Sequence, residues 1–110
     1  MARKIYNKLV RDKIPQIIEE KGGSPKYSIL SATLFAAALK EKLVEEAKEL
    51  NEAEGRDDIL NELADVLELI FAIAKNNGVT MDEIEIRRGK KSAERGGFIE
   101  GLLLEYVDED

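Results

Sequence analysis

Apolar side chains recur at helical spacing through the first half of the chain. Isoleucines at positions 14, 17 and 18 lie on one side of a short helix predicted for residues 11–21, where Pro15 is tolerated only in the first turn. A break rich in glycine follows at residues 22–25. A longer stripe then predicts a helix from about residue 31 to residue 54, and its members are Phe35, Leu39, Leu43, Ala47 and Leu50.

Two more helices are predicted in the second half. Asp57 or Asp58 caps a third helix that continues to about Asn76, where Asn77 and Gly78 form a C-terminal stop. Thr80 and Glu83 have the spacing of a capping box that starts a fourth helix, which reaches roughly Arg95. Residues 98–107 are apolar and could form a short strand. We therefore predict an all-α antiparallel bundle of about four helices, with at most a short terminal β element, in a single domain of residues 1–110.

The third helix is apolar around most of its circumference. Twelve of the sixteen residues from position 59 to position 74 are apolar, and Phe71 among them is predicted to be core. Neighbours from this chain or a second copy must cover such a helix on nearly all sides, which predicts a homodimer or a homotetramer. The polar residues fall within an arc of about 120° and are Asn61, Glu62, Asp65 and Glu68.

Carboxylates on the second helix match those on the third. Glu46 and Glu49 are one helical turn apart, as are Glu62 and Asp65, so the four converge if the two helices run antiparallel. No basic residue occurs between positions 56 and 75, and a solvated edge would ordinarily alternate Glu with Lys. Oxygen ligands without nitrogen or sulfur favour Mg²⁺, or Mn²⁺, over zinc. Lys42 is predicted to pair with acidic residues of its own helix.

Composition excludes several kinds of chemistry. The chain has no histidine and no cysteine, which removes imidazole bases, thiol nucleophiles, Cys/His zinc sites and disulfides. The net charge of -6 argues against binding to a nucleic acid polymer or an anionic membrane surface. Because no apolar run approaches the roughly 20 residues of a spanning helix and no signal peptide opens the chain, we expect a cytoplasmic protein.

Charge is unevenly distributed along the chain. Residues 1–26 sum to +4, residues 27–86 to -9, residues 87–95 to +4 and residues 96–110 to -5. Basic segments that flank an acidic middle suit a site for both cations and an anionic ligand, although simple solvation of exposed faces gives the same pattern. The basic residues concerned are Arg87, Arg88, Lys90, Lys91 and Arg95, and then Lys8, Arg11 and Lys13.

The acidic pattern resembles the signature of a known family. Glu45-Glu46-Ala47-Lys48-Glu49, twelve residues, and then Glu62-Leu63-Ala64-Asp65 match the EExxE and ExxD motifs of all-α nucleoside triphosphate pyrophosphohydrolases. That group comprises MazG-like proteins and proteins similar to phosphoribosyl-ATP pyrophosphohydrolase. The segments Tyr6–Pro15 and Lys90–Phe98 also look like small MazG-like proteins, so the resemblance spans most of the chain.

The resemblance implies hydrolysis of a nucleotide between its α and β phosphorus atoms, which yields a nucleoside monophosphate and pyrophosphate. Glu46, Glu49, Glu62 and Asp65 would then be the Mg²⁺ ligands, and Glu45 or Glu49 would activate the attacking water. Lys90, Lys91 and Arg95 match the family's basic stretch and are candidates for phosphate binding. Arg11 and Asn61 are further candidates for contact with the substrate.

Three alternatives stay open. One is the hydrolysis of phosphoribosyl-ATP in histidine biosynthesis, in place of nucleotide-pool housekeeping. A second is a non-catalytic helical interaction module, in which the carboxylates meet Arg87 or Arg95 across a subunit interface. A third is a regulator that binds nucleotide and metal without turnover. Mg²⁺ binding separates the second from the others, and pyrophosphate release separates the third.

Overall fold

The helices follow the predicted order. A computed structural model describes residues 2–109, which contain α1 (Ile14–Glu20), α2 (Ala32–Glu52), α3 (Arg56–Asn76) and α4 (Met81–Arg95) and, within that range, no strand. This confirms the all-α class and the four helices. The first helix begins later than predicted, because Pro15 must lie in the first turn and Lys13 is the N-cap.

Local side-chain chemistry sets the start of two helices. The Ser31 hydroxyl accepts a hydrogen bond from the Leu34 N–H at 3.3 Å and caps α2. At α4 the capping box is complete, because the Thr80 hydroxyl accepts from the Glu83 N–H at 3.1 Å and the Glu83 carboxylate accepts from the Thr80 N–H at 2.8 Å. Both predicted N-termini are therefore confirmed.

The start of α3 differs from the prediction. Gly55 is the N-cap, with φ of 82° and no side-chain cap, and Asp57 and Asp58 lie in the first turn of the helix instead. The prediction of an aspartate cap is wrong because the chain reverses at a glycine conformation that other residues avoid. The two aspartates still stabilise the helix, since their charges lie near the positive end of its dipole.

The α2–α3 hairpin is the structural centre of the first part of the chain. The two helices pack against each other and are joined by only three residues, 53–55, so they run antiparallel. Leu39 on α2 and Ala74 on α3 are 3% and 6% exposed and form the buried core at the end of the hairpin remote from the connection. Glu49 and Glu62 lie within about two helical turns of the connection.

One face of α3 is left uncovered by α2. Four large apolar side chains on this face are 41–52% exposed, and they are Leu60, Leu63, Leu67 and Phe71. The prediction that Phe71 is core is therefore wrong for the single chain, because α2 covers only one side of α3. At 100° per residue the face is turned away from Asp65, on the opposite side of the helix.

The chain divides into two compact units, one that ends at Gly78 and one that begins at Val79. The first contains α1, α2 and α3, and the second contains α4 and the residues after it. Residues 96–109 form neither helix nor strand, and Phe98, Ile99 and Leu103 among them are more than 80% exposed. The terminal β element is thus absent from the described residues, since a strand needs a neighbouring strand to pair with its backbone. In the part of the chain that the structure describes, no helix combines the length and apolar character needed to cross a membrane.

Candidate functional site

Three carboxylates from the two helices of the hairpin converge on one point. Glu46 and Glu49 come from α2 and Glu62 from α3, and each supplies an oxygen that lies within 4.8 Å of the others. The three-residue spacing puts Glu46 and Glu49 on the same face of α2, one turn apart. The antiparallel packing then brings Glu62 opposite them, so the hairpin positions all three side chains.

Two oxygens of this cluster have no hydrogen-bond donor. Glu46 is only 9% exposed, and its Oε2, like Oε2 of Glu62, is shielded from solvent without a partner among the described residues. A buried polar atom left unsatisfied costs about 1–3 kcal/mol, and more when it carries charge. The two oxygens therefore leave room for a cation, which would satisfy both at once.

Burial and mutual repulsion change the acidity of these groups. The pKa of Glu46 is raised from 4.5 to about 7, first by burial and then by the hydrogen bond and charge of Glu49 and the charge of Asp65; Lys42 offsets part of the rise. Burial also raises the pKa of Glu62, and the charges of Glu49 and Asp65 add to the effect. The bare cluster thus holds a proton near neutral pH that a divalent cation would displace.

Glu45 has a different environment from the other three glutamates. Lys8 donates a hydrogen bond from Nζ to its Oε1 at 3.1 Å, and Lys42 Nζ lies 3.5 Å from its Oε2. The hydrogen bond from Lys8 is the main reason that the pKa of Glu45 is lowered. Lys42 Nζ also lies 3.7 Å from Glu46 Oε1, which confirms the predicted pairing within α2.

Asp65 lies at the edge of the cluster and pairs with Arg11. The Arg11 guanidinium donates from Nη2 to Asp65 Oδ1 at 2.7 Å, a distance typical of a charge-assisted hydrogen bond. Asp65 is not one of the three residues whose oxygens converge. Its charge nevertheless raises the pKa of Glu46 and Glu62, so it lies within electrostatic reach of them. The role of Asp65 as a metal ligand stays a prediction.

The donor set suits a hard divalent cation. All three converging donors are carboxylate oxygens, the ligands that Mg²⁺ and Mn²⁺ prefer, and their separations are compatible with a shared octahedral ion. Three protein ligands would leave coordination positions for water and for phosphate oxygens. Glu46, Glu49 and Glu62 are therefore the residues that can hold a metal here.

Other predicted substrate residues are not brought to this cluster by any described contact. Lys90, Lys91 and Arg95 are exposed on α4, in the second compact unit. Asn61 is exposed on α3. Their roles in substrate binding stay predictions. Lys8 is the site residue that the sequence pattern ranks too low; its only local signal is its position three residues before Arg11 in a basic segment.

Comparison with known proteins adds a family. The sequence model of the family described as phosphoribosyl-ATP pyrophosphohydrolase matches residues 10–88, a range that contains Glu45 and all four predicted metal ligands. The chain is also 46% identical over 52 residues to a protein of Mycolicibacterium smegmatis named only as an uncharacterized protein. That alignment covers 47% of this chain and 53% of the relative, so the chain spans about half the length of the relative it matches. No solved structure matches the chain.

Proposed function

Because the chain belongs to the phosphoribosyl-ATP pyrophosphohydrolase family, we propose that it is a Mg²⁺-dependent nucleotide pyrophosphohydrolase. It cleaves a nucleoside triphosphate between the α and β phosphates and releases a nucleoside monophosphate and pyrophosphate. Membership of the family supports a nucleotide pyrophosphohydrolase kind of activity. The observation that carries the proposal is the convergence of Glu46, Glu49 and Glu62 around two buried oxygens that lack a donor.

Four carboxylates hold the metal in this proposal. Glu46, Glu49 and Glu62 are already in position, and Asp65 joins them when Arg11 gives up its hydrogen bond. Mg²⁺, or Mn²⁺ in its place, neutralises charge on the phosphate oxygens and makes bound water a better nucleophile. The like charges of the four ligands favour this cation, because without it one of them must take up a proton.

Glu49 is the better candidate for the base that activates water. It belongs to the converging group and is exposed, so a water molecule can reach it. Glu45 is a weaker base, because the Lys8 hydrogen bond lowers its pKa. The water proton passes to the Glu49 carboxylate as the water oxygen bonds to the α phosphorus. The bond from that phosphorus to the bridging oxygen breaks, and pyrophosphate leaves with it.

Phosphoribosyl-ATP is the second candidate substrate, and the description of the family favours it. Its hydrolysis breaks the same kind of phosphoanhydride bond and uses the same residues. For either substrate, the phosphates require cations in addition to the metal, and Arg11, Lys90, Lys91 and Arg95 are the candidates. Asn61 is the candidate for contact with the sugar or base. A housekeeping role in the nucleotide pool would place the protein in the cytoplasm.

The proposed assembly is a homodimer or a homotetramer of single-domain chains. Leu60, Leu63, Leu67 and Phe71 form an apolar face on α3 that no other element of the first compact unit covers fully. A second copy that presents the same face would bury it by a twofold contact. The net charge of -6 is unfavourable for a nucleic acid polymer as partner.

Pyrophosphate release is the test of this function. Ribonucleoside and deoxyribonucleoside triphosphates and phosphoribosyl-ATP are incubated separately with the protein in Mg²⁺, in Mn²⁺ and in EDTA. We expect release from at least one nucleotide with a metal and none with EDTA. A protein that binds Mg²⁺ and nucleotide without release would be the non-catalytic regulator. A protein whose thermal stability is indifferent to Mg²⁺ would be the ion-paired interaction module.

A further inference from the structure

The irregular segment before α1 links both helices of the hairpin at the carboxylate cluster. Lys8 reaches Glu45 on α2, and Arg11, three residues later, reaches Asp65 on α3. We propose that Lys8 and Arg11 together bind the β and γ phosphates of the substrate, the part that leaves as pyrophosphate. This inference rests on the proposed function and adds the residues that recognise the leaving group.

The two cations have donors to spare. Each makes a single ion pair, although an ammonium carries three N–H donors and a guanidinium five. The side chains of Lys8 and Arg11 are 52% and 58% exposed, so most of their donors face solvent. A phosphate oxygen can therefore approach either side chain from solvent.

Lys42 provides a contrast within the same cluster. Its side chain is only 21% exposed, and its ammonium lies between Glu45 and Glu46 on its own helix. It is thus occupied with neutralising carboxylates. Lys8 and Arg11 come from a separate segment and contact the cluster from its solvent side, which is the side that a nucleotide must approach.

Charge shows why the two cations matter once metal is present. Three cations contact the group of five carboxylates, which leaves a formal charge of -2. One divalent cation would cancel that charge, yet a triphosphate brings roughly four negative charges more. When Asp65 shares its charge with the metal, the Arg11 guanidinium is available for a phosphate. The ion pairs of the free chain thus hold Lys8 and Arg11 beside the place where phosphate arrives.

The buried end of the cluster supports a site at this position. Glu46 is nine-tenths buried and its Oε2 has no donor among the described residues. A cation at Oε2 would lie on the inner side of the cluster, and Lys8 and Arg11 would lie on the outer side. The arrangement suits a ligand whose phosphates touch a metal at one end and basic side chains at the other.

Binding of inorganic pyrophosphate tests the inference. Its Kd is measured by calorimetry at saturating Mg²⁺ for the unmodified chain, Lys8→Gln, Arg11→Gln, the double variant and Arg11→Lys. We expect about tenfold weaker binding for each single glutamine variant and about a hundredfold for the double variant. Arg11→Lys should recover part of the loss, since it keeps the charge but not the planar fork.

Arg3→Gln and Lys26→Gln are the matched controls. Both remove one positive charge from an exposed position outside the helices, and neither residue has an ion pair in the described part of the chain. Their pyrophosphate Kd should stay within about twofold of the unmodified value. With the nucleotide that the chain hydrolyses, the Lys8 and Arg11 variants should raise KM while kcat changes by less than about threefold.

A purely structural role would give a different result. If Lys8 and Arg11 only fasten the segment to the hairpin, their variants lower Tm but keep the pyrophosphate Kd and KM of the controls, and the inference is overturned. A chain that neither binds pyrophosphate nor releases it from any nucleotide overturns the proposed function itself. Normal binding by the unmodified chain and by all variants overturns only the inference.

Discussion

Glu62 supplies one of the two carboxylate oxygens that no donor reaches. Glu62→Gln removes a ligand charge while it keeps the shape of the side chain, so we expect kcat to fall by at least about a hundredfold. The metal-free variant should be as stable as the unmodified chain or slightly more so, because the repulsion from Glu49 and Asp65 is relieved. Pyrophosphate release and thermal unfolding in EDTA measure the two effects.

Glu68→Gln is the control for that substitution. Glu68 lies on the same helix, is exposed, and is not one of the converging residues. It should keep both activity and stability. Asp65→Asn should resemble Glu62→Gln if Asp65 becomes a ligand. Full activity in either Glu62→Gln or Asp65→Asn would show that the corresponding ligand is assigned wrongly.

Glu46 makes the stability of the free chain depend on pH. Its pKa is about 7 in the folded chain against 4.5 for the model group, so between these values the folded chain holds more protons than the unfolded one. The free energy of unfolding should therefore fall as pH rises from about 4.5 to about 7, by a total on the order of 3 kcal/mol from this group. The stabilisation is complete below about pH 4.5 and is lost as pH passes through 7.

Urea unfolding at pH 5 and pH 8, in EDTA, measures this effect. Glu46→Gln does not titrate, so the difference in stability between the two pH values should be smaller in that variant by the contribution of Glu46. Mg²⁺ binds the deprotonated form, so its affinity for the unmodified chain should rise over the same pH range. An identical pH dependence in Glu46→Gln and the unmodified chain would contradict the prediction.

Among the elements, the turn between α2 and α3 positions the site. Gly55 has φ of 82° and ψ of 155°, a conformation that is essentially restricted to glycine, and a Cβ there would meet nothing within 4 Å. Gly55→Ala should therefore destabilise the chain by about 2 kcal/mol through backbone strain alone. Because the same turn brings Glu49 opposite Glu62, Mg²⁺ affinity should fall as well.

Gly97→Ala is the matched control for the turn. Gly97 also has open space around its Cβ position but lacks a positive φ, so its replacement should change the free energy of unfolding by less than about 0.5 kcal/mol. Chemical unfolding and Mg²⁺ titration are measured on both variants. Equal stability of the two would mean that the turn tolerates alanine and that its conformation is not restrictive.

Local chemistry makes some element ends predictable and leaves others open. The starts of α2 and α4 follow from Ser31 and Thr80, whose side chains cap the helices that they precede. The start of α3 does not follow from its aspartates, because a glycine turn decides it. Residues 98–107 have the composition of a strand but no partner strand among the described residues, and composition alone does not supply one.

The same distinction holds for the site. Spacing along α2 and α3 is enough to predict that Glu46, Glu49 and Glu62 face one another once the helices form a hairpin. The pairs that involve Lys8 and Arg11 join residues 37 and 54 positions apart. No periodicity connects residues across such separations, so these pairs emerge only from the tertiary structure.

At the scale of the whole molecule, the exposed face of α3 determines how copies of the chain associate. Leu60, Leu63, Leu67 and Phe71 recur at helical spacing and are each about half exposed. Burial of the exposed half of such a side chain contributes roughly 1 kcal/mol, and a twofold contact counts every residue twice. The face alone would then supply several kcal/mol, before the cost of association, to a dimer built on paired α3 helices.

Leu63→Glu tests this contact, because a charge in the centre of the face would be buried without a partner in the dimer. We expect the mass measured by light scattering to fall to that of one chain, and Tm to fall with it. Thr33→Glu adds the same charge at an exposed position on α2 and should leave the mass unchanged. An unmodified chain that is monomeric at micromolar concentration would contradict the proposed assembly. If Leu63→Glu dissociates the copies and also abolishes Mg²⁺ binding, the carboxylate cluster depends on the assembly, since Leu63 directly follows Glu62 on α3.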